Sequence, residues 1–189
     1  YNVQSTGIDE FSNLLFRKGH NFGFLFERLI MEGKQSLDGY KVIIMNASCL
    51  PDVFVDKMLK WVNDGGVLIA TGAPGVMNEY AVVSGKLPDE VFGKGNWKYE
   101  RGILSIKNMT EEINVLSKGS SNNPTLVEKS FGKGKVYVRL GTINEETLYD
   151  IINKNAPRQF YGKNNNLHIV MRQGKGEKTL YLSLLNPDC

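Results

Sequence analysis

Apolar positions in this chain gather into short runs, and the clearest pair of runs brackets a helical pattern between Leu37 and Gly75. Tyr40 to Met45 is apolar except for Lys41 and rich in β-branched residues, as a strand covered on both faces would be. Pro51 then precedes Asp52, which is expected to cap a helix whose buried stripe is Val55, Met58, Leu59 and Val62. Asn63-Asp64-Gly65-Gly66 ends that helix, because glycine enters left-handed backbone freely. Val67 to Ala70 is the next apolar run. A strand, a helix and a strand in this order predict a βαβ unit with parallel strands and a right-handed crossover.

The flanking segments follow by the same reasoning. Tyr1 to Arg17 is only weakly periodic, with Phe11, Leu14 and Leu15 as a short helical face. Phe22, Leu25, Phe26, Leu29 and Ile30 are spaced as one apolar stripe, which predicts an amphipathic helix capped by Asn21 and ended by Gly33. After Gly75, Val76 to Val83 reads as a short helix over the sheet edge, and Ser84 to Asp89 as a loop. Ile103 to Ile106 suggests a strand, and Thr110 to Leu116 a brief helix or surface segment. Leu126 to Phe131 and Lys135 to Leu140 flank Gly132-Lys133-Gly134 and predict a hairpin in which Val136 and Val138 alternate against Tyr137 and Arg139. Asn144 is placed to cap a helix that buries Leu148, Ile151 and Ile152 and stops before Pro157. Beyond the Asn-rich linker Gly162 to Asn166, Leu167 to Arg172 and Thr179 to Leu185 predict a second hairpin.

Composition narrows the class of protein. The 189 residues are 41% hydrophobic and 23% charged, an ordinary globular balance that accommodates one full domain and a fragment of another. The formal charge of +3 is small, and Lys94, Lys98, Lys133 and Lys135 lie near turns without interleaved aromatics, so no nucleic-acid partner is indicated. No apolar run approaches the ~20 residues that cross a bilayer, so no membrane partner is expected. Two cysteines, Cys49 and Cys189, make neither a disulfide framework nor a zinc site, and no metal or other cofactor is expected. Asn46-Ala47-Ser48 and Asn108-Met109-Thr110 match the glycosylation sequon, a pattern common by chance. A first residue Tyr1 and an ending just after a strand suggest a piece of a longer protein, whose compartment stays unknown.

Ligands of open α/β sheets bind beyond the carboxyl ends of the strands, here Asn46 to Leu50 and Thr71 to Val76. Cys49 follows a strand and is a candidate nucleophile, but a reactive thiol needs a base. Neither His20 nor His168 follows a strand of the core sheet. Thr71-Gly72-Ala73-Pro74-Gly75 has the outline of a nucleophile elbow with Ala73 and Pro74 where Ser or Cys would stand, so it reads as a tight turn. Dinucleotide and Walker fingerprints are missing. Asp52 and Asp56 sit one helical turn apart on a solvent-facing surface, while Glu111-Glu112 and Glu145-Glu146 suit helix first turns. Glu79 is the one acidic residue near a strand end, and glycoside hydrolysis needs two facing carboxyls. Trp97 and Tyr99 are candidates for stacking on sugar rings, whereas Trp61 falls in a helix and reads as packing.

On these residues the chain resembles the class I glutamine amidotransferase-like α/β domain, and more narrowly the trimerisation domain of family 42 β-galactosidases. The features carrying the resemblance are the helix end Glu32-Gly33 and Leu37-Asp38-Gly39-Tyr40-Lys41-Val42-Ile43-Ile44 entering a strand. The helix-to-strand passage Trp61-Val62-Asn63-Asp64-Gly65-Gly66-Val67-Leu68-Ile69-Ala70 and the late hairpin Phe131 to Tyr137 follow in the expected order. Thr179 to Asn186 looks like the first strands of a following β-sandwich. The chain departs from the family in lacking a clear first strand before Asn21 and a strand between Gly33 and Leu37.

The resemblance implies an α/β, flavodoxin-like three-layer domain with a mainly parallel sheet over residues 1–160, followed by a hairpin beginning a β-sandwich module over residues 161–189. It implies a non-catalytic role in assembly, as a homo-oligomer and specifically a trimer, and in framing the active site of a multidomain glycoside hydrolase that acts on carbohydrate. Glu79, Trp97 and Tyr99 are the substrate-adjacent candidates, and no catalytic residue carries over. Two rivals stand beside this reading: a free-standing hydrolase or amidotransferase using Cys49, and a carbohydrate-binding module using Trp97 and Tyr99.

Overall fold

The computed structural model describes residues 6–157, 168–173 and 180–185, with side chains described for 10–157. In chain order the elements are α1 (Thr6–Arg17), α2 (Glu27–Met31), β1 (Val42–Met45), α3 (Asp52–Asn63) and β2 (Val67–Thr71). Next come α4 (Lys86–Phe92), β3 (Trp97–Glu100), β4 (Ile103–Ile106), β5 (Ile113–Lys118), β6 (Pro124–Phe131) and β7 (Gly134–Arg139). The last are α5 (Glu145–Asn155), β8 (His168–Gln173) and β9 (Leu180–Leu185). The chain divides into two compact units, one of residues 25–144 and one of residues 1–24 with 145–189.

The 25–144 unit is a mixed α/β structure built on a five-stranded sheet of order β1-β2-β7-β6-β5. β1 pairs parallel with β2 and β2 parallel with β7, so the βαβ unit read from the sequence is present. β6 runs antiparallel to both β7 and β5, which leaves four of the five strands pointing the same way. Val55, Met58, Leu59 and Val62 of α3 are buried against the sheet face that carries Leu68, Ala70, Val136 and Val138. The other face carries Ile69, Leu126 and Tyr137, also buried. The hairpin β6–β7 forms as expected, but β7 is a central strand, so Tyr137 is as buried as its valine neighbours.

Several local expectations are corrected. The residue at the N-cap of α3 is Pro51, and Asp52 opens the helix instead of capping it. The stripe from Phe22 to Ile30 is helical only at Glu27–Met31; Phe22, Phe24 and Phe26 lie on non-helical chain and are exposed. Spacing of two as well as of four connects those phenylalanines, and a short helix cannot use all of them. Val76 to Val83 is not helical, and the helix comes at Lys86–Phe92, where glycine and proline suggested a loop. Pro88 is tolerated because the first-turn N–H groups have no partner within the helix. Thr110 to Leu116 contributes strand β5, not a helix. Trp97–Glu100 and Ile103–Ile106 form a separate antiparallel hairpin.

The unit of residues 1–24 and 145–189 carries α1, α5, β8 and β9. α1 is longer than its weak periodicity suggested, and Phe11, Leu14 and Leu15 are its buried residues. Leu148 and Ile152 are buried on α5 as expected, while Ile151 is only half-buried. The two helices are joined by Arg17–Glu145 at 2.8 Å and Lys18–Glu146 at 2.6 Å. His20 follows α1 and meets Tyr149 edge-on at 5.5 Å between ring centroids. β8 and β9 pair antiparallel from His168↔Leu185 to Gln173↔Leu180, the predicted hairpin. The linker Gly162 to Asn166 and Cys189 lie outside the described residues.

Candidate functional site

The place where this architecture would hold a ligand is the carboxyl end of β1 and β2, and there the backbone closes on itself. After β1, residues Ala47 to Leu50 run beside Gly75 to Met77. Gly75 N–H donates to Ala47 O at 2.9 Å, Met77 N–H to Ser48 O at 3.0 Å and Leu50 N–H to Met77 O at 2.9 Å. Cys49 and Met77 form a parallel bridge, and Met77 forms an antiparallel one with Val83. These bonds occupy donors that an anion or a carbonyl would otherwise find free.

Side chains fill what the backbone leaves. Ala73, Pro74, Gly75 and Val76 are all buried, and Leu50, Ala73, Val76 and Leu87 join the hydrophobic core. A methyl group at Gly75 would come within 2.9 Å of Leu87 Cβ, and its φ of 56° lies in the left-handed region. Turn and packing therefore both demand glycine here. Ala73 and Pro74, between the two glycines of this turn, are buried and carry no nucleophilic group.

Beyond the closed crevice the chain makes an ordered turn. Asn78 Oδ1 accepts from Tyr80 N–H at 3.0 Å and from Val82 N–H at 3.1 Å. Asn78 N–H donates to Val82 O at 2.9 Å, and Ala81 takes a left-handed φ of 59°. Glu79 sits on this turn, exposed, next to Tyr80 at 78% exposure. Asn78 and Tyr80 were not singled out from the sequence. The signal for Asn78 was there, since asparagine commonly closes turns on its own backbone.

The turn is tied down on its far side by charge. Ser84 Oγ donates to Asp52 Oδ1 at 3.2 Å, and Lys86 Nζ meets Asp56 Oδ1 at 2.9 Å. The Asp56 carboxylate holds the Lys86 ammonium above its ordinary pKa of 10.5. Asp52 and Asp56 thus face partners on the α4 side, and both work as struts.

Trp97 and Tyr99 are brought together on β3, on the same face of the strand, but not as an open platform. Both are half-buried and packed on the core. Trp97 Nε1–H donates to Asp89 Oδ1 at 2.6 Å, and the indole covers Gly85, where a methyl group would overlap it. The Trp97 ring is thus engaged by Gly85 and Asp89 of the protein itself. Trp61 likewise is half-buried packing over Gly66.

Cys49 is an exposed free thiol. Among the described residues no group of three or more His, Cys, Asp or Glu side chains is placed to hold a metal ion, and no helix is long and apolar enough to cross a membrane. Glu32 is held below the ordinary carboxylate value of 4.5 by Lys34 and Arg28, in a surface cluster.

No family model matches the chain, and no curated protein matches it. Solved structures do. The chain is similar to the β-galactosidase of Bacillus circulans sp. alkalophilus at 17% identity and a TM-score of 0.74, over 96% of this chain and 31% of that one. It is also similar to Gan42B, a GH42 β-galactosidase of G. stearothermophilus, at 14% identity and a TM-score of 0.72, over 98% of this chain and 31% of that one. The β-galactosidase of Rahnella sp. R3 follows at 15% identity and a TM-score of 0.64, over 91% of this chain and 30% of that one. The chain therefore spans under a third of the length of these structures, and at such identities the likeness establishes the fold.

Proposed function

We propose that this chain is a non-catalytic domain of a larger glycoside hydrolase of the β-galactosidase type, serving assembly of a homotrimer and framing of the parent's active site. The observation that carries the reading is the sealed crevice: Ala73 and Pro74 are buried where an attacking side chain would stand. The backbone donors around them are spent on Ala47, Ser48 and Met77. Hydrolysis of a glycoside takes two facing carboxyl groups, and Glu79 stands alone on its turn. On this reading the carboxylates belong to another part of the parent polypeptide.

We propose further that the fold is of the flavodoxin-like, three-layer kind. A parallel β1-β2-β7 core with helix α3 on one face and a second buried face is what a flavodoxin-like, three-layer, amidotransferase-related domain requires. In that lineage the amidotransferase chemistry would be lost, with no cofactor or metal in its place. The two rival readings have less behind them. Cys49 is accessible and its backbone is bridged to Met77, and the Trp97 indole is committed to Asp89 and Gly85.

The test is made on the full-length parent protein. Light scattering after size-exclusion chromatography is expected to give three times the chain mass, with hydrolysis of nitrophenyl β-galactoside. Replacing Cys49 by Ser is expected to leave kcat/KM unchanged. A strict monomer would overturn the assembly role, and loss of hydrolysis with Cys49→Ser would overturn the scaffold role.

A further inference from the structure

We infer that the outer edge of β1 is a strand-acceptor site, taken by a short apolar strand from a part of the parent polypeptide outside residues 1–189. The parallel ladder sets which groups are involved. Val67 N–H donates to Lys41 O at 3.0 Å, and Val42 pairs with Val67. In a parallel ladder alternate residues turn both N–H and C=O to the same neighbour, so Lys41, Ile43 and Met45 serve β2. Val42 and Ile44 therefore turn theirs outward, and β1 pairs with no strand but β2 among the described residues.

The two ends of the sheet are treated differently. β5, at the far edge, carries register shifts between Val115 and Ser117 and between Ser117 and Lys118. Irregular edges of that kind, with a lysine, block further pairing. β1 has neither device: Val42-Ile43-Ile44-Met45 contains no charge, proline, glycine or bulge, and Lys41 stands just outside it. Ile43 and Met45 are buried while Val42 and Ile44 are half-buried, so an added strand would extend the face packed by α3.

The size of the edge decides what occupies it. Four residues make a strand about 13 Å long, and each chain would offer a second copy only the outward groups of Val42 and Ile44. Such a contact falls far below the ~1,000 Å² of a stable interface. A tethered strand needs no such area, because its effective concentration reaches the millimolar range. The solved structures that share this fold are about three times as long as the chain, and so carry the polypeptide to supply it. The inference rests on the reading of the chain as part of a longer protein.

Residue-resolved amide exchange on the full-length parent tests it. The Ile43 and Met45 amides, which bond β2, are the internal reference. The Val42 and Ile44 amides are expected to exchange as slowly as these, on the order of 100-fold slower than an open edge would allow, and equally at all protein concentrations. Fast exchange at Ile44 beside slow exchange at Ile43 overturns the inference. Protection that disappears on dilution to monomer also overturns it, since a second copy is then the occupant. A monomeric parent with slow exchange at Ile44 upholds the inference and defeats the assembly role, so the two readings fail separately.

Discussion

The indole of Trp97 lies against the backbone of Gly85, so close that a methyl group at residue 85 would overlap the ring. Gly85 has a φ of 67° and precedes α4, and its N–H donates to Val76 O at 2.9 Å. Trp97 is fixed over it by the bond from Nε1 to Asp89 of the same helix. One aromatic side chain thus clamps the turn that seals the crevice, the start of α4 and the β3–β4 hairpin together.

Gly85→Ala should therefore be costly for two separable reasons. Left-handed backbone and overlap with the ring together should remove about 2 kcal/mol or more, or roughly 4–8 °C in melting temperature for a chain of this size. In a Trp97→Ala background the overlap is gone, so the same substitution should cost less than it does alone. Equal costs in the two backgrounds, measured by urea denaturation, would show that the ring does not press on Gly85.

The same clamp predicts that Trp97 will not report sugar binding. Its hydrogen bond is satisfied and its ring is packed on the core, so oligosaccharide titration should leave the tryptophan emission maximum unmoved. Tyr99, on the same strand face, is also half-buried. A saturable shift that disappears in Trp97→Phe would revive the carbohydrate-binding reading.

Cys49 is open to reagents but has a backbone bridge to Met77 for a neighbour. Thiol reactivity depends on the thiolate and on a group that stabilises it. Iodoacetamide at neutral pH should label the folded protein at Cys49 to completion, at a rate within about tenfold of free glutathione. Labelling a hundred times faster than glutathione would reopen the nucleophile reading.

How much of this was legible in the sequence depends on how many signals each segment carried. The β1–α3–β2 unit was legible because two apolar runs and one stripe agree, with Gly65 and Gly66 between them. Phe22, Phe24 and Phe26 carry two periods at once, and local spacing alone cannot choose between them. Gly85 and Pro88 are loop signals by composition, yet one serves as the N-cap of α4 and the other sits in its first turn. Tyr137 and Arg139 alternate with Val136 and Val138 as the second face of a hairpin, and the pattern does not show that β7 is a central strand in which Tyr137 is also buried. At the crevice, Ala73 and Pro74 announced the missing side chain, but the hydrogen bonds that close it join residues almost thirty apart and leave no local trace. Trp97 reads in the sequence as an aromatic able to stack on a sugar ring, and only its Asp89 partner shows what the indole binds within the protein.

Glu32 gives a prediction in which order matters as well as sign. Its Oε2 meets Lys34 Nζ at 2.7 Å and its Oε1 meets Arg28 Nε at 2.8 Å, and Lys34 is the larger influence. Both favour the charged form, so the folded-state pKa lies below the ordinary 4.5. A depressed carboxyl pKa adds stability that is present above the unfolded value and lost as pH falls through the folded one. The contribution should thus be constant at neutral pH, begin to fall as pH nears the ordinary 4.5 and be lost as pH drops through the lower folded-state value. It should also be small, because all three groups are in solvent and salt screens them. Carbon-detected NMR titration of the Glu32 carboxyl should give a midpoint below 4.5 that rises in both Lys34→Ala and Arg28→Ala. The rise should be greater for Lys34→Ala, since the cation two residues away is the stronger partner. If only the arginine substitution moves the midpoint, the helical i,i+4 pair controls the cluster and the assignment to Lys34 is wrong.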